Sequence, residues 1–196
     1  MNTTPSTITT RVKQLQKWME EEQLDAFIVP TIDPHNSEYT PDYWKAREWL
    51  TGFDGSAGTA VVLAGKGGAL WTDSRYFLQA EEQLNGTPFV LMRDGMPSTP
   101  TVAEWLQEQL PQGGKIGCYG EIMTQELADD LFNGLDTKYD RVVTDNDPFK
   151  TIWTNRPALP AEPLEIIPDD IAGCSAADKL AIIFQTENQC CPEANY

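Results

Sequence analysis

Apolar residues in the first part of the chain follow helical spacing and then strand-like spacing. Steps of four, three and four residues predict an amphipathic helix from about Thr7 to Gln23, with this apolar stripe: Ile8, Val12, Leu15 and Met19. The short apolar run from Ala26 to Pro30 follows and predicts a buried strand. Residues 43–50 then predict a short helix that ends at Gly52.

Two β-rich segments, residues 58–64 and 69–72, flank the glycine-rich stretch 65–68 and predict an antiparallel hairpin. Further strand-like runs follow at residues 89–92, 115–119 and 141–144. Helices between and after these runs are predicted to begin at Asp73 or Ser74, at Thr99 followed by Pro100, at Thr124 and at Pro148. This order predicts an α/β domain over residues 7–156, with a mixed β-sheet flanked by helices.

The pattern changes after residue 156. Four prolines in residues 157–168 predict an extended linker, which we place at residues 157–174. Ser175 stands three residues before Asp178 and predicts the capped start of another helix. From Gln185 onward the apolar period stops, so residues 175–196 are interpreted as the truncated start of a second domain followed by an irregular tail.

The charge and the cysteine content of the chain limit its expected partners and its expected location in the cell. The 196 residues carry 30 acidic and 14 basic side chains, for a net charge of −16, which argues against nucleic acid and anionic membranes as partners. No apolar run is long enough to cross a bilayer, and the first residues lack the features of a secretory leader. The four cysteines show neither a disulfide pattern nor a CxxC pair, so a cytoplasmic location is predicted.

Three familiar kinds of site fit the sequence poorly. The single histidine, His35, excludes a zinc site with several histidines. Ser56 lies in DGSAG, but Asp54 replaces the first glycine of a nucleophile elbow and a predicted strand follows, which disfavours a Ser56–His35 triad. The glycines of residues 52–58 precede the same strand rather than a helix, which favours a turn over a phosphate loop. Nucleotide binding remains an alternative on the glycines alone.

One loop gathers polar side chains directly after the first predicted strand, where α/β sheets commonly place ligands: Asp33, His35, Ser37, Glu38 and Tyr39. Two interpretations stay open, a loop held by its own hydrogen bonds and a contact surface for a ligand or partner. Asp73 is predicted to cap the next helix while Arg75 pairs with a carboxylate, a structural role. The acidic pairs and runs of the chain are interpreted as solvated surface rather than a metal site.

Five segments, in this order and spacing, resemble the N-terminal domain of cytosolic-type aminopeptidase P, an Xaa-Pro aminopeptidase of the creatinase/prolidase (M24) metallopeptidase group. They are IDPHNSEY (32–39), LTGFDGSAGTAVV (50–62), LWTDSRYFLQAEEQL (70–84), PSTPTVAEWL (97–106) and KTIWTNRP (150–157). The resemblance extends from about Thr9 to Ile183. Pro34 departs from it, since the family commonly has a small residue before the histidine.

The resemblance implies a parent enzyme that releases the N-terminal residue preceding a proline. It also implies two divalent metals, usually manganese, bound in a C-terminal domain outside these residues. We therefore expect no catalytic residue, metal ligand or cofactor in this chain, and no activity of the chain alone. The family's first domain shapes access to the active site and contacts other domains or subunits.

The resemblance and the loop analysis together give these candidates for an interface or for substrate access: Asp33, His35, Ser37, Glu38, Tyr39, Phe53, Asp54 and Ser56. Asp73, Arg75 and Trp153 are assigned to structural motifs. The expected partners are other domains or subunits of an Xaa-Pro aminopeptidase, or a second copy in a homodimer. The alternative function is a stand-alone protein-interaction or dimerisation module.

Overall fold

The computed structural model describes residues 4–190, and the chain divides into two compact units, residues 1–160 and 161–196. The first unit contains a six-stranded sheet of order β4-β3-β2-β1-β5-β6. Its strands are β1 (Ala26–Pro30), β2 (Thr59–Leu63), β3 (Gly68–Thr72), β4 (Phe89–Arg93), β5 (Lys115–Tyr119) and β6 (Asp140–Thr144). The predicted α/β class with a mixed sheet is confirmed.

Strand direction places most of the loops at one end of the sheet. β2 is antiparallel to both β1 and β3, whereas the other neighbouring pairs are parallel. Five strands therefore end where β2 begins, and Pro30 at the end of β1 pairs with Thr59 at the start of β2. We call this end of the sheet the carboxyl rim.

Helices cover both faces of the sheet. The elements are α1 (Pro5–Glu21), α2 (Ala46–Thr51), α3 (Phe77–Gln83), α4 (Val102–Gln109), α5 (Gln125–Phe132) and α6 (Phe149–Ile152), with 3₁₀ turns at Asp42–Trp44 and Gly120–Ile122. One core cluster joins the sheet to α1, α2, α3 and α6, and the other joins it to α4 and α5. β1 contributes to both, since Phe27 and Val29 belong to the first cluster and Ile28 to the second. Burial on both faces explains its continuous apolar run.

Two predicted helix starts are wrong. Neither Asp73 nor Ser74 caps α3, because the Asp73 carboxylate instead accepts from the backbone N–H of Arg75 and pairs with its guanidinium. The cap of α4 is Thr101 rather than Thr99: its Oγ1 accepts from Glu104 N at 3.2 Å, and Glu104 Oε2 accepts from Thr101 N at 2.8 Å. This reciprocal capping box satisfies two backbone donors at once, which a cap at Thr99 does not.

The second unit contains α7 (Asp169–Ala172) and α8 (Ala176–Cys190). Ser175 Oγ accepts from Asp178 N at 3.1 Å, as expected for a capped start. Residues 157–168 contain no helix or strand, as predicted for a linker. The last part of the predicted linker is different, because it contains the short helix α7.

The irregular structure predicted from Gln185 is wrong as far as Cys190, because α8 continues to that residue. Glutamine and glutamate are good helix formers, so a polar turn can continue a helix without an apolar period. The rest of the predicted tail, residues 191–196, lies outside the described residues. None of the helices in residues 4–190 combines the length and apolar character needed to cross a bilayer.

Candidate functional site

The two loops singled out in the sequence lie side by side at the carboxyl rim. Residues 31–42 leave the end of β1, and residues 53–58 lead into β2, which pairs with β1. Thr31 joins the two loops, since its backbone N–H and its hydroxyl both donate to Gly58 O, at 3.0 and 2.8 Å. The loops therefore form one continuous surface.

A buried arginine beneath this surface joins the same loops. The Arg47 guanidinium donates through Nε to Thr31 Oγ1 at 2.7 Å, through Nη1 to Phe53 O at 2.5 Å and through Nη2 to Gly55 O. It also lies over the Phe53 ring, 4.8 Å from the centroid. Each of its nitrogens thus holds a different point of the two loops.

Burial lowers the pKa of Arg47 to about 10, so the side chain remains charged at neutral pH. Sequence reasoning missed Arg47, because a charged residue in a short helix is typical of a solvated position. The available signal was its place beside Ala46, three residues before Leu50: all three are buried and face the core from α2.

Asp33 organises the loop that follows β1. Its Oδ1 accepts from the backbone N–H groups of His35 and Ser37, both at 3.0 Å, and its side chain is buried. Burial alone raises the pKa of Asp33, but the hydrogen bonds from Ser37 and His35 outweigh it and hold the pKa below its usual value. The self-bonded loop expected as one alternative is therefore present.

The candidates of this loop divide into buried and exposed residues. His35, Ser37, Glu38 and Tyr39 face solvent, and Tyr39 is 85% exposed. Asp33 is buried, as is Phe53 in the neighbouring loop, so these two position the surface instead of forming it. That corrects their assignment as direct contact residues.

The loop at residues 53–58 is fastened to α3 and the turn before it. The Asp54 carboxylate accepts from Gln79 Nε2 at 2.6 Å and from Gln83 Nε2 at 2.7 Å. Ser56 Oγ lies 2.6 Å from the Tyr76 hydroxyl. The Ser56 side chain is thus engaged with Tyr76 rather than with His35, and no nucleophile triad is formed.

The glycines of this loop allow close packing, as expected for a turn. Gly52 ends α2 with a positive φ of 77°. A Cβ atom at Gly55 would lie 2.3 Å from Phe53 Cζ, and one at Gly58 would lie 2.8 Å from Trp71 O. Steric approach therefore explains these glycines without a phosphate ligand.

A cleft of about 320 Å³ opens at the rim between the two loops. Its two charged side chains are Asp73 and Asp94, and Asn36, Ser56 and three threonines add neutral polar groups. Asp73 is held by Arg75, whose Nε and Nη2 lie 2.9 and 2.8 Å from its oxygens, and this bond lowers the pKa of Asp73. The lining residues include two carboxylates and no lysine or arginine, so the cleft disfavours an anion.

Trp153 lies away from this cleft. Its buried ring stacks on Trp49 with centroids 5.3 Å apart and connects α6 with α2. Among residues 4–190, no group of three or more histidine, cysteine, aspartate or glutamate side chains is arranged to hold a metal ion.

A protein-family model described as the creatinase/prolidase N-terminal domain matches residues 11–147. Aminopeptidase P2 of Arabidopsis thaliana is 39% identical over 160 residues, covering 80% of this chain and 22% of that protein. A probable Xaa-Pro aminopeptidase P of Colletotrichum graminicola is 35% identical over 180 residues, covering 90% of this chain and 29% of the relative. The chain thus spans about a quarter of the length of these curated relatives.

Solved structures agree with this assignment. The X-prolyl aminopeptidase of Caenorhabditis elegans, described as a cytosolic enzyme with a di-nuclear active site, superposes with a TM-score of 0.80 at 29% identity and covers 93% of this chain and 31% of that one. The N-terminal domain of the cytoplasmic peptidase PepQ of Mycobacterium tuberculosis shares the fold, with a TM-score of 0.53 at 22% identity, 74% of this chain and 98% of that one. From the matched motifs, the mixed sheet and these similarities, we conclude that the chain belongs to the creatinase/prolidase N-terminal domain family.

Proposed function

We propose that this chain is the non-catalytic first domain of a metal-dependent Xaa-Pro aminopeptidase, and that its carboxyl rim shapes substrate access and contacts other domains or subunits. One observation carries the proposal: Arg47 holds both rim loops in place beneath exposed side chains at residues 35–39. A buried cation with three fixed acceptors makes this surface rigid, as selection by steric exclusion requires.

The chemistry belongs to other parts of such an enzyme. In such an enzyme two divalent ions, held by residues of another domain, would supply Lewis-acid chemistry and a water nucleophile. We assign their ligands to residues outside this chain, as the resemblance to aminopeptidase P implies. We also propose a cytoplasmic location, in keeping with the absence of a disulfide pattern among the four cysteines.

A first experiment tests whether the chain alone lacks peptidase activity. The purified chain is incubated with manganese and the peptide Arg-Pro-Pro, and free arginine is measured. We expect none above a no-protein control. Manganese-dependent release of arginine would overturn the assignment of a non-catalytic domain.

A second experiment tests the rim. Residues 1–160 replace the matching N-terminal segment of the Arabidopsis relative, and Tyr39→Ala is compared with Leu78→Ala, an equally exposed residue on α3 (84% against 85%). If the rim contacts substrate on its way to the metals, Tyr39→Ala changes KM for longer peptides by about threefold or more with kcat little altered. Equal KM values for both variants would contradict the access role.

The second candidate function is a stand-alone interaction module. The exposure of Tyr39, an aromatic side chain of the kind enriched at interfaces, favours it. Titration of the chain with the separately produced remainder of a related aminopeptidase distinguishes the two proposals. Binding that Tyr39→Ala weakens and Leu78→Ala does not supports the first-domain assignment, whereas no binding supports the stand-alone module.

A further inference from the structure

The outer edge of β4 carries a set of backbone groups that is complementary to itself. β4 is the last strand on its side of the sheet, and β3 is its only strand neighbour among the described residues. Gly68 N donates to Pro88 O, and Asp94 N donates to Thr72 O. Because parallel strands alternate, the backbone groups of Val90 and Met92 also face β3, and those of Phe89, Leu91 and Arg93 face outward.

Two of these outward groups already have partners in the chain. Phe89 N donates to Thr87 Oγ1 at 3.3 Å, and Arg93 O accepts from Met96 N at 3.2 Å. Within the described range, the outward groups without a partner are Phe89 C=O, Leu91 N–H, Leu91 C=O and Arg93 N–H. The edge thus offers two donors and two acceptors.

From this pattern we infer that β4 pairs with β4 of a second copy of the chain, antiparallel, about a two-fold axis through Leu91. In that register the two Leu91 residues exchange both hydrogen bonds, and each Arg93 N–H donates to Phe89 C=O of the other copy. These four bonds use every free outward group. The bond that the register leaves out would join Phe89 N–H to Arg93 C=O, the two groups that are already satisfied within each chain.

The side chains fit the same register. Val90 is 59% exposed and would lie opposite Met92 of the other copy, forming an apolar cross-strand pair on each side of the axis. Arg93, the single charged residue of the strand, would lie opposite Phe89 instead of opposite the second Arg93. No two like charges face each other, and the strand lacks the lysine or proline that commonly protects an edge.

The opposite edge of the sheet differs. β6 carries Asp140 and Arg141 within five residues, and Asp145 follows it. Charged residues on an edge strand disfavour pairing with another chain. Its exposed residue Val143, 64% accessible, therefore provides a matched control for Val90.

Sedimentation equilibrium of the whole chain tests the pairing. We expect a reversible dimer whose Kd rises at least about tenfold in Val90→Lys, because two lysines would face the apolar Met92 side chains, whereas Val143→Lys leaves Kd unchanged. Both residues are exposed in the monomer, so neither change removes core packing. A monomer at concentrations up to about 1 mM, the range of a weak complex, would overturn the inference. A dimer that is insensitive to Val90→Lys, or equally sensitive to Val143→Lys, would also overturn it.

Two further measurements test the register. Amide exchange at Leu91 and Arg93 should slow with rising protein concentration, whereas exchange at Val90 and Met92, which bond to β3, should not. In a Cys174→Ser, Cys190→Ser, Cys191→Ser background, Leu91→Cys should form a disulfide-linked dimer on oxidation, since directly opposed residues lie within disulfide range. Val143→Cys in the same background should not. Cross-linking by Val143→Cys, or exchange at Leu91 that is independent of concentration, would contradict the register.

Discussion

Arg156 and Asp147 form a buried ion pair where the first unit ends: Nη1 lies 2.6 Å from Oδ2, and the side chains are 8% and 1% exposed. Arg156 Nε also donates to Tyr43 O at 2.7 Å, and the guanidinium lies 3.7 Å from the centre of the Tyr43 ring. The second Asp147 oxygen, Oδ1, accepts from Phe149 N at 2.9 Å. The pair connects the start of α6, the turn at residues 42–44 and the beginning of the proline-rich segment.

Removing one partner of this pair should be costly. Arg156→Gln leaves the Asp147 carboxylate buried without its counter-charge, so the free energy of unfolding should fall by about 3–5 kcal/mol. Urea unfolding measures it. The matched control is Arg75→Gln, which breaks the exposed pair with Asp73 and should cost no more than about 1 kcal/mol. Similar losses in the two variants would contradict the role assigned to burial.

Replacing Arg47 should loosen both rim loops together. Arg47→Met keeps much of the side-chain volume but leaves Phe53 O and Gly55 O without their donor, and each buried acceptor left this way costs about 1–3 kcal/mol. Amide exchange should accelerate in residues 31–39 and 53–58, whereas Lys45→Met on the adjacent surface should leave both segments unchanged. Faster exchange in only one loop would show that Arg47 does not couple them.

The capping box of α4 gives a test at single-residue resolution. Thr101→Ala removes the hydroxyl that accepts from Glu104 N, and it should lower the free energy of unfolding by about 1 kcal/mol. Thr99 lies outside the helix, so Thr99→Ala should change the free energy of unfolding little. Chemical denaturation of the two variants measures the difference. A larger effect at Thr99 would place the start of the helix two residues earlier.

Asp33 should make stability depend on pH. Its pKa is lower in the folded chain than in the unfolded chain, so it contributes stability above the ordinary aspartate pKa of about 3.9, and this contribution is lost as pH falls through the folded pKa. The free energy of unfolding of the wild type minus that of Asp33→Asn should therefore be largest near neutral pH and shrink in acid. Urea titrations between neutral and acidic pH measure it. A difference that is constant over this range would contradict the hydrogen-bonded carboxylate.

The sequence predicted the sheet better than the ends of the helices. β1 and β5 match their predicted bounds, because short apolar runs between turn residues leave little choice of register. The start of α4 was missed by two residues, since Thr99 and Thr101 both precede an apolar stripe and the side chain of Glu104 decides between them. The end of α8 was missed because helix propensity continues it without any apolar period.

At the rim, too, some residues could be predicted from the sequence and others could not. The exposed residues from His35 to Tyr39 could be found from their position after a strand. The partners that hold them could not, because Arg47 contacts Thr31, Phe53 and Gly55 through positions distant in sequence. Burial of Phe53 likewise depends on the folded loop, since a phenylalanine between glycines also suits an exposed turn. The local sequence pattern therefore identifies the rim loops as a candidate surface. Which of their side chains are exposed depends on tertiary packing.

The reversed direction of β2 separates the two ends of the domain. The loop before β2 reaches the rim, whereas the turn after it, residues 64–67, lies at the far end of a five-residue strand, about 16 Å away. Mutations in that turn are remote from any molecule that touches the rim. If the rim carries the proposed contacts, the turn escapes selection by a partner and is constrained by packing alone: a Cβ atom at Gly67 would collide with Pro88 O.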